Sequence, residues 1–127
     1  IVAAATGGIW PGLPPKGAAT AYPFITVTAQ RAPKPERIFR GSGTPAAGIA
    51  FEAAVYLVKA VDKSTSPKPA SDINALIRTA LDGQTITVTG YTLLNLLWAG
   101  DVSYSELDDS TLFQHEGGLY EIWASKT

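Results

Sequence analysis

The sequence predicts an α+β domain: a mainly antiparallel β-sheet packed by one or two helices. Three observations support this fold class. Residues 49–61 form a long run rich in β-branched and aromatic side chains, which is typical of a strand. Residues 71–83 place their apolar side chains with the period of a helix. Nine prolines and twelve glycines, with only 17% charged residues, indicate a sheet-rich fold with many turns.

Chain length bounds the domain organisation. Residues 1–127 are long enough to form one domain with a core of its own. The sequence contains no Met and starts in the apolar stretch IVAAAT, so we expect a further N-terminal segment, a helix that ends near Gly7 and Gly8. The sequence contains no run of about 18 apolar residues, so it does not predict a membrane span. The absence of cysteine excludes disulfides, thiol catalysis and thiolate metal ligands.

The first predicted elements are a short strand and a longer one. Residues 8–12 predict a very short strand ended by Pro11, because proline has no N–H for a sheet ladder. Residues 22–30 alternate in side-chain character and predict the second strand. Residues 31–45 then form a long connection rich in basic residues, proline and glycine. We expect it to be an extended hairpin tongue that joins two antiparallel strands.

The strand predicted at residues 49–61 is apolar on both of its faces. Phe51 and Val55 lie on one face, Tyr56 and Val58 lie on the other, and a single charge interrupts each. Near-continuous apolarity predicts that both faces are covered. In a chain of this size, a second subunit is one candidate for the second cover.

A helix is predicted after the Ser/Pro-rich break that follows this strand. Its apolar side chains recur on one helical face: Ile73, Leu76, Ile77, Ala80 and Leu81. Ser71 is the expected N-cap, and Gly83 occupies the place of a left-handed residue beyond the C-terminus. Because a helix of about three turns is not stable alone in water, it is expected to lie on the sheet.

The C-terminal part predicts further strands separated by turns. Residues 85–89 alternate and predict a strand. Residues 93–107 fit either a helical turn or a doubly covered strand, and we favour a strand with Gly100 as a bulge or bend. Residues 108–110 predict a turn, and residues 119–125 predict a last strand that starts after a glycine pair.

No pattern in the sequence predicts catalysis, so we expect neither an enzyme nor a bound cofactor or metal. His115 is the only histidine, which excludes histidine metal clusters and leaves Glu116 as its nearest acidic neighbour in the chain. The acidic turn at Asp108 and Asp109 lacks the spacing of an EF-hand. Phosphate-loop, dinucleotide and nucleophile-elbow motifs are also absent.

Charge is divided unequally along the chain. Residues 1–63 hold seven Lys/Arg against three Asp/Glu, whereas residues 64–127 hold three against eight. Opposite-signed halves favour head-to-tail contact between identical subunits, although ordinary scatter of solvated charge also explains the difference. The basic tongue is consistent with a subunit interface, a nucleic-acid contact or a free loop, and we favour the interface. The candidate interface residues are Arg31, Lys34, Arg37, Phe39, Arg40 and Tyr56.

The order of these motifs resembles the small tail-terminator, or tail-completion, proteins of long-tailed bacteriophages. The segments concerned are GGIWPGLPPKGAATAYPFITV, a long strand ending VYLVKAVDKS, a helix ending IRTALDG, and a strand-rich tail with an acidic turn. In that family a short aromatic strand precedes a Pro/Gly turn, and a Pro-aromatic pair opens the next strand, as Pro23 and Phe24 do. The likeness covers nearly the whole chain.

The resemblance implies a structural virion protein whose subunits assemble into a homo-oligomeric ring, typically a hexamer. In that family the ring caps the tail tube and joins it to the head connector. The implied partners are therefore further copies of the chain, the tail tube protein and the head-completion or connector protein, with passing contact to genomic DNA in the lumen. The implied location is the head–tail junction of a virion assembled in the host cytoplasm, without membrane contact. Family members usually begin with a helix and have no catalytic residues.

Two alternatives stay open at this point. One is another neck or tail-tube component, such as a head-completion or stopper protein. The other is a monomeric binding or adhesion module that uses Trp10, Trp98 or Trp123. Aromatic residues in strands belong more often to a core or an interface than to a carbohydrate platform.

Overall fold

A computed structural model describes residues 5–12, 21–37, 49–85, 89 and 91–126. Within these ranges the chain forms five strands and one helix: β1 (Ile9–Pro11), β2 (Phe24–Arg37), β3 (Ile49–Lys63), α1 (Lys68–Leu81), β4 (Tyr91–Asp108) and β5 (Thr111–Lys126). The strands form one sheet in the order β1-β2-β3-β5-β4, with α1 packed on one of its faces. This architecture confirms the predicted α+β class. The helix expected before Gly7 lies outside the described residues.

The short strand β1 lies at one edge of the sheet and runs parallel to the start of β2. The amide N–H of Ile25 donates to the carbonyl oxygen of Gly8 at 2.9 Å, and that of Gly12 donates to the carbonyl oxygen of Val27 at 2.9 Å. The remaining strand pairs are antiparallel. The very short strand expected here is therefore confirmed, and its parallel direction is new information.

The antiparallel pairing predicted across the tongue is confirmed for β2 and β3. The prediction that the connection begins at residue 31 is wrong, because β2 continues to Arg37. Pro33 and Pro35 fall within this extension, and the ladder shifts register there. Such irregular pairing accommodates residues that have no N–H to donate. The tip of the tongue, residues 38–48, lies outside the described residues.

Strand β3 is the centre of the sheet and is buried on both faces, as expected. Val58 and Ala60 belong to the core beneath α1, and Ala53 and Val61 are buried on the opposite face. On that face Val61 lies between Phe24 of β2 and a residue of β5. At Val61, therefore, side chains of the same chain supply part of the second cover, without a second subunit.

The helix begins earlier than predicted. Its first residue is Lys68, and the amide N–H of Ser71 already donates to the carbonyl oxygen of Pro67 at 2.9 Å. Ser71 is therefore inside the first turn and is not the N-cap. Pro69 is tolerated there because the first N–H groups of a helix have no intrahelical partner. Gly83 has φ +72°, which confirms the left-handed residue expected beyond the C-terminus.

Not every apolar position of the helix faces the sheet. Ala70, Ile73 and Ile77 are buried, whereas Leu76 is 46% exposed. The expectation that Leu76 lies on the packed face is therefore wrong. The buried positions lie three and four residues apart, and this narrow stripe is sufficient to hold α1 against the sheet.

Strands β4 and β5 form a long hairpin. The turn consists of Asp109 (φ +46°) and Ser110 (φ +67°), which confirms the predicted turn. Two successive positive φ values are typical of a two-residue hairpin turn, because the twist of such a turn matches the twist of the two strands that it joins. The choice of a strand for residues 93–107 is also confirmed, with a register shift between Trp98 and Gly100. The strand predicted at 85–89 lies largely outside the described residues.

The last strand starts earlier than predicted. Strand β5 begins at Thr111, so Gly117 and Gly118 lie inside it instead of preceding it. A Cβ atom built on Gly117 would lie 2.4 Å from the Cβ of Lys59, which pairs with it across β3. This glycine thus permits a close approach of two central strands, which is a recognised reason for glycine within a strand.

Candidate functional site

The structure places the candidate interface residues in two separate regions. Arg31, Lys34 and Arg37 lie on the part of β2 that extends beyond β1, where the backbone pairs with the first half of β3. Tyr56 lies on the face of β3 that carries α1. Phe39 and Arg40 lie outside the described residues. The interface role of all six residues stays a prediction.

Tyr56 helps to line an apolar pocket beside α1. The pocket has a volume of about 310 Å³ and lies between the C-terminal half of the helix and the face of the sheet that α1 covers. Ile77 and Leu81 form its helical wall, and Ile25 and Val27 form part of its floor. Its described lining contains no charged side chain. It is therefore suited to hydrophobic packing.

Tyr120, which also lines the pocket, carries a buried hydroxyl group. Tyr120 is almost fully buried, and its hydroxyl oxygen has no hydrogen-bond partner among the described residues. Burial raises the pKa of Tyr120 above its usual value of 10.0, an effect opposed by the charge of Arg78. The phenol is therefore neutral at physiological pH and acts as part of the core.

A cluster of polar and aromatic side chains lies on the opposite face of the sheet. The ring of His115 stacks on Tyr104 with a centroid distance of 4.3 Å, and its Nε2 lies 2.9 Å from an Oε2 oxygen of Glu106. Lys59 donates a hydrogen bond to the Tyr104 hydroxyl and lies over the same ring. Three strands, β3, β4 and β5, contribute to the cluster.

The acidic partner of His115 differs from the sequence-adjacent one. Glu116 points to the other face of β5, where its carboxylate accepts a hydrogen bond from Ser103 at 2.7 Å. Successive residues of a strand point to opposite faces, so an adjacent residue is a poor candidate for contact. Glu106 reaches His115 because β4 pairs with β5 in the hairpin, where Glu106 lies on the same face as His115.

The arrangement around His115 favours a structural role. Its side chain is 8% exposed, so a substrate has little access to the ring. Burial lowers the pKa of His115 from its usual value of 6.5, and the charge of Lys59 lowers it further. The hydrogen bond and charge of Glu106 act in the opposite direction. A neutral ring that donates from Nε2 to Glu106 fits these surroundings and ties β4 to β5.

This environment predicts a pH-dependent stability. Because the pKa of His115 is lower in the folded state, the unfolded chain binds a proton more readily, and stability falls as the pH drops below about 6.5. The loss continues until the pH reaches the lowered pKa of the folded state. Urea unfolding at several pH values should show that His115→Gln reduces this part of the pH dependence. An unchanged pH dependence in the variant would contradict the assignment.

The indole groups also take part in contacts within the chain. The Arg78 guanidinium lies 3.7 Å from the centroid of the Trp98 ring, and the Trp98 amide donates to a carboxylate oxygen of Asp82 at 2.9 Å. The indole N–H of Trp10 donates to the carbonyl oxygen of Gly7 at 2.8 Å. Trp98 thus connects the end of α1 to β4. These contacts are typical of structural tryptophans and do not favour a carbohydrate platform.

In the described part of the chain, no group of three or more His, Asp or Glu side chains is placed to hold a metal ion. None of the helical residues described forms a helix long and apolar enough to cross a membrane.

Comparison with known proteins identifies a structural neighbour. No protein-family model matches the sequence, and no curated protein matches it either. Among solved structures, the chain is similar to a protein in the "Virion of native gene transfer agent (GTA) particle". The TM-score is 0.65, with 12% sequence identity over 98% of this chain and 84% of that chain. At this level of identity, the likeness shows a shared fold.

Proposed function

We propose that this chain is a structural virion protein, and more specifically a tail terminator that forms a homo-oligomeric ring at the head–tail junction. The observation that carries the proposal is the fold shared with a protein of the gene transfer agent virion over 98% of this chain. The motif order described above supports the finer assignment to tail termination. The proposed ring caps the tail tube and joins it to the head-completion or connector protein.

The described surfaces fit a protein that works through contacts instead of catalysis. The pocket beside α1 is apolar, and the imidazole of His115 is buried against Tyr104. The proposal accordingly includes no enzymatic activity and no cofactor. Its partners are further copies of the chain, the tail tube protein and the head-completion protein, in a virion assembled in the host cytoplasm.

The first test is electron microscopy of lysates from a phage or phage-like particle producer that lacks this gene. Over-long tails, or unattached tubes beside filled heads, are expected and would place the protein at tail termination. Expression of the intact chain from a plasmid should restore normal particles. Complete infectious particles in the absence of the gene would overturn the proposal.

The same images separate the terminator from another neck component. The shared virion fold is also compatible with a head-completion protein. A head-completion defect leaves tails of normal length next to heads that fail to retain DNA or to attach. A terminator defect changes the length of the tube itself. Tails of normal length in the deletion strain would therefore favour the neck component.

A second experiment tests the tongue as an interface. Reversal of charge at Arg37 and Arg40 to glutamate is expected to impair ring formation or tail attachment while the isolated protein stays folded. Lys63→Glu with Lys68→Glu is the matched control, because both side chains are exposed and lie outside the tongue. Normal assembly of the Arg37/Arg40 variant would remove the tongue from the proposed interface.

A further inference from the structure

Among the described strands, each edge of the sheet contains a stretch that has no neighbouring strand on its outer side. Strand β1 pairs with residues 25–27 of β2, and no other described strand lies beside residues 28–37 on that side. At the other edge, Asp82 and Gly83 bond to the backbone of β4 only at Leu96 and Trp98. Residues 100–108 of β4 have no described strand on their outer side. Unpaired strand edges are templates for pairing with another chain.

The two open stretches match each other in extent. The two stretches are similar in length. The β2 stretch is bounded by β1, which lies beside the start of β2, and the β4 stretch is bounded by the end of α1, which lies beside the first half of β4. The turn at Asp109 and Ser110 closes the other end of the β4 stretch. Pairing between the two stretches would therefore not require β1 or α1 to move.

The charges of the two stretches are complementary. Residues 100–108 contain Asp101, Glu106 and Asp108 and no basic residue. Residues 28–37 contain three basic residues and a single acidic one. Like charges directly opposed across a strand pair are destabilising, and opposite charges are favourable. Pairing of β4 with β4 of another copy would bring acidic residues together, whereas pairing of β4 with β2 avoids this repulsion.

Strand direction is also compatible with this pairing. Strands β2, β3, β5 and β4 follow one another in the sheet, and each runs antiparallel to the next. Strand β4 therefore runs opposite to β2. A second copy placed beyond β4 in the same orientation presents its β2 antiparallel to β4, so the antiparallel pattern continues across the junction. Such a head-to-tail contact closes into a ring when the rotation between copies permits it.

We propose that residues 100–108 of β4 pair antiparallel with residues 28–37 of β2 in a second copy of this chain. The sheet then continues from one subunit to the next. This inference rests on the proposed ring and names the surfaces that build it. Through the paired strands β4, β5, β3 and β2, Tyr104 lies level with Phe24. From that level the open stretch of β2 continues toward one end of the sheet, and the open stretch of β4 extends toward the other end. Neighbouring copies are thus staggered, and the strands are inclined to the ring axis, as in closed barrels.

Cross-linking between two introduced cysteines tests this contact. The natural chain has no cysteine, so Gln30→Cys and Leu107→Cys supply the only thiols; both sites are exposed, Leu107 at 71%. With a short bis-maleimide, the double variant should give a ladder of covalent dimers, trimers and larger species. Each single variant should lack the ladder. Leu107→Cys combined with Ala75→Cys, which lies on the exposed side of α1, is the matched control and should also lack it.

The experiment is performed on concentrated purified protein and on lysates of producing cells. Absence of the ladder from the Gln30/Leu107 variant in both preparations would overturn the edge pairing. A covalent dimer from Leu107→Cys alone would also overturn it, because it would indicate that two β4 strands pair. These results are independent of the deletion images. A terminator phenotype without the ladder rejects this inference only, and a ladder with normal tails in the deletion strain rejects only the terminator role.

Discussion

Replacement of Gly117 by alanine is expected to lower the free energy of unfolding by about 3 kcal/mol, the upper part of the usual range for overpacking. A Cβ atom there would lie 2.4 Å from the Cβ of Lys59 and 2.6 Å from the carbonyl oxygen of Val58. One of these atoms is a backbone oxygen of the central strand, and the other is the first side-chain carbon of a residue in that strand. Neither atom can move aside without separating β3 from β5. Thermal unfolding should show a decrease in Tm of about 10 °C.

Gly118→Ala is the matched control for this prediction. A Cβ atom at Gly118 would lie 3.2 Å from side-chain atoms of Trp98 and Tyr120, so a shift of a few tenths of an ångström relieves the contact. We expect a loss of about 1 kcal/mol or less, because alanine also restricts the unfolded chain. Equal losses for the two variants would contradict the close approach of β3 and β5 at Gly117.

Ile77→Ala is expected to lower the free energy of unfolding by about 3 kcal/mol, because it removes buried methyl and methylene groups from a core position. Ile77 is 2% exposed and packs between α1 and the sheet. The vacated space joins the apolar pocket that Ile77 already lines, so the surrounding side chains have little to collapse onto. Urea unfolding measures the loss as a decrease in the midpoint at unchanged m-value.

Leu76→Ala provides the comparison on the same helix. Leu76 is adjacent in sequence and 46% exposed, and the same kind of side chain is truncated to the same residue. We expect a loss of about 0.5 kcal/mol or less, as for most surface substitutions. If Leu76→Ala were as destabilising as Ile77→Ala, the face on which α1 packs would be assigned wrongly.

Residue pattern was sufficient to predict most of the regular elements. The β-branched run of β3, the period of α1 and the left-handed Gly83 are local signals, and the structure confirms each. The sequence pattern places the N-cap of α1 four residues too late, at Ser71 instead of Pro67, because Ser71 matches a common N-cap while Pro67 and Pro69 suggest a loop. Proline is nevertheless acceptable in a first helical turn, so sequence preference alone does not exclude either start.

The candidate site was less predictable than the elements. Basic residues of the tongue are visible in the sequence, but the continuation of β2 through Pro33 and Pro35 depends on β3 as a partner. Sequence adjacency points to Glu116 as the acidic neighbour of His115, whereas the structure shows the contact with Glu106. The two-residue turn at Asp109 and Ser110 sets the register of β4 on β5, which places Tyr104 opposite His115. Glu106 lies two residues further along the same face of β4, within reach of the His115 ring.

Local sequence features are sufficient to predict the fold class, the central strand, the helix and the hairpin turn, because period, β-branching and turn residues act over a few neighbouring positions. The strand order, in which β5 is inserted between β3 and β4, and the parallel direction of β1 follow only from the packed fold. Strand order depends on which strand edges meet after distant segments pack. A local sequence pattern does not identify the neighbouring strand. For the same reason, only the strand order shows that the two oppositely charged stretches lie at the two edges of one sheet.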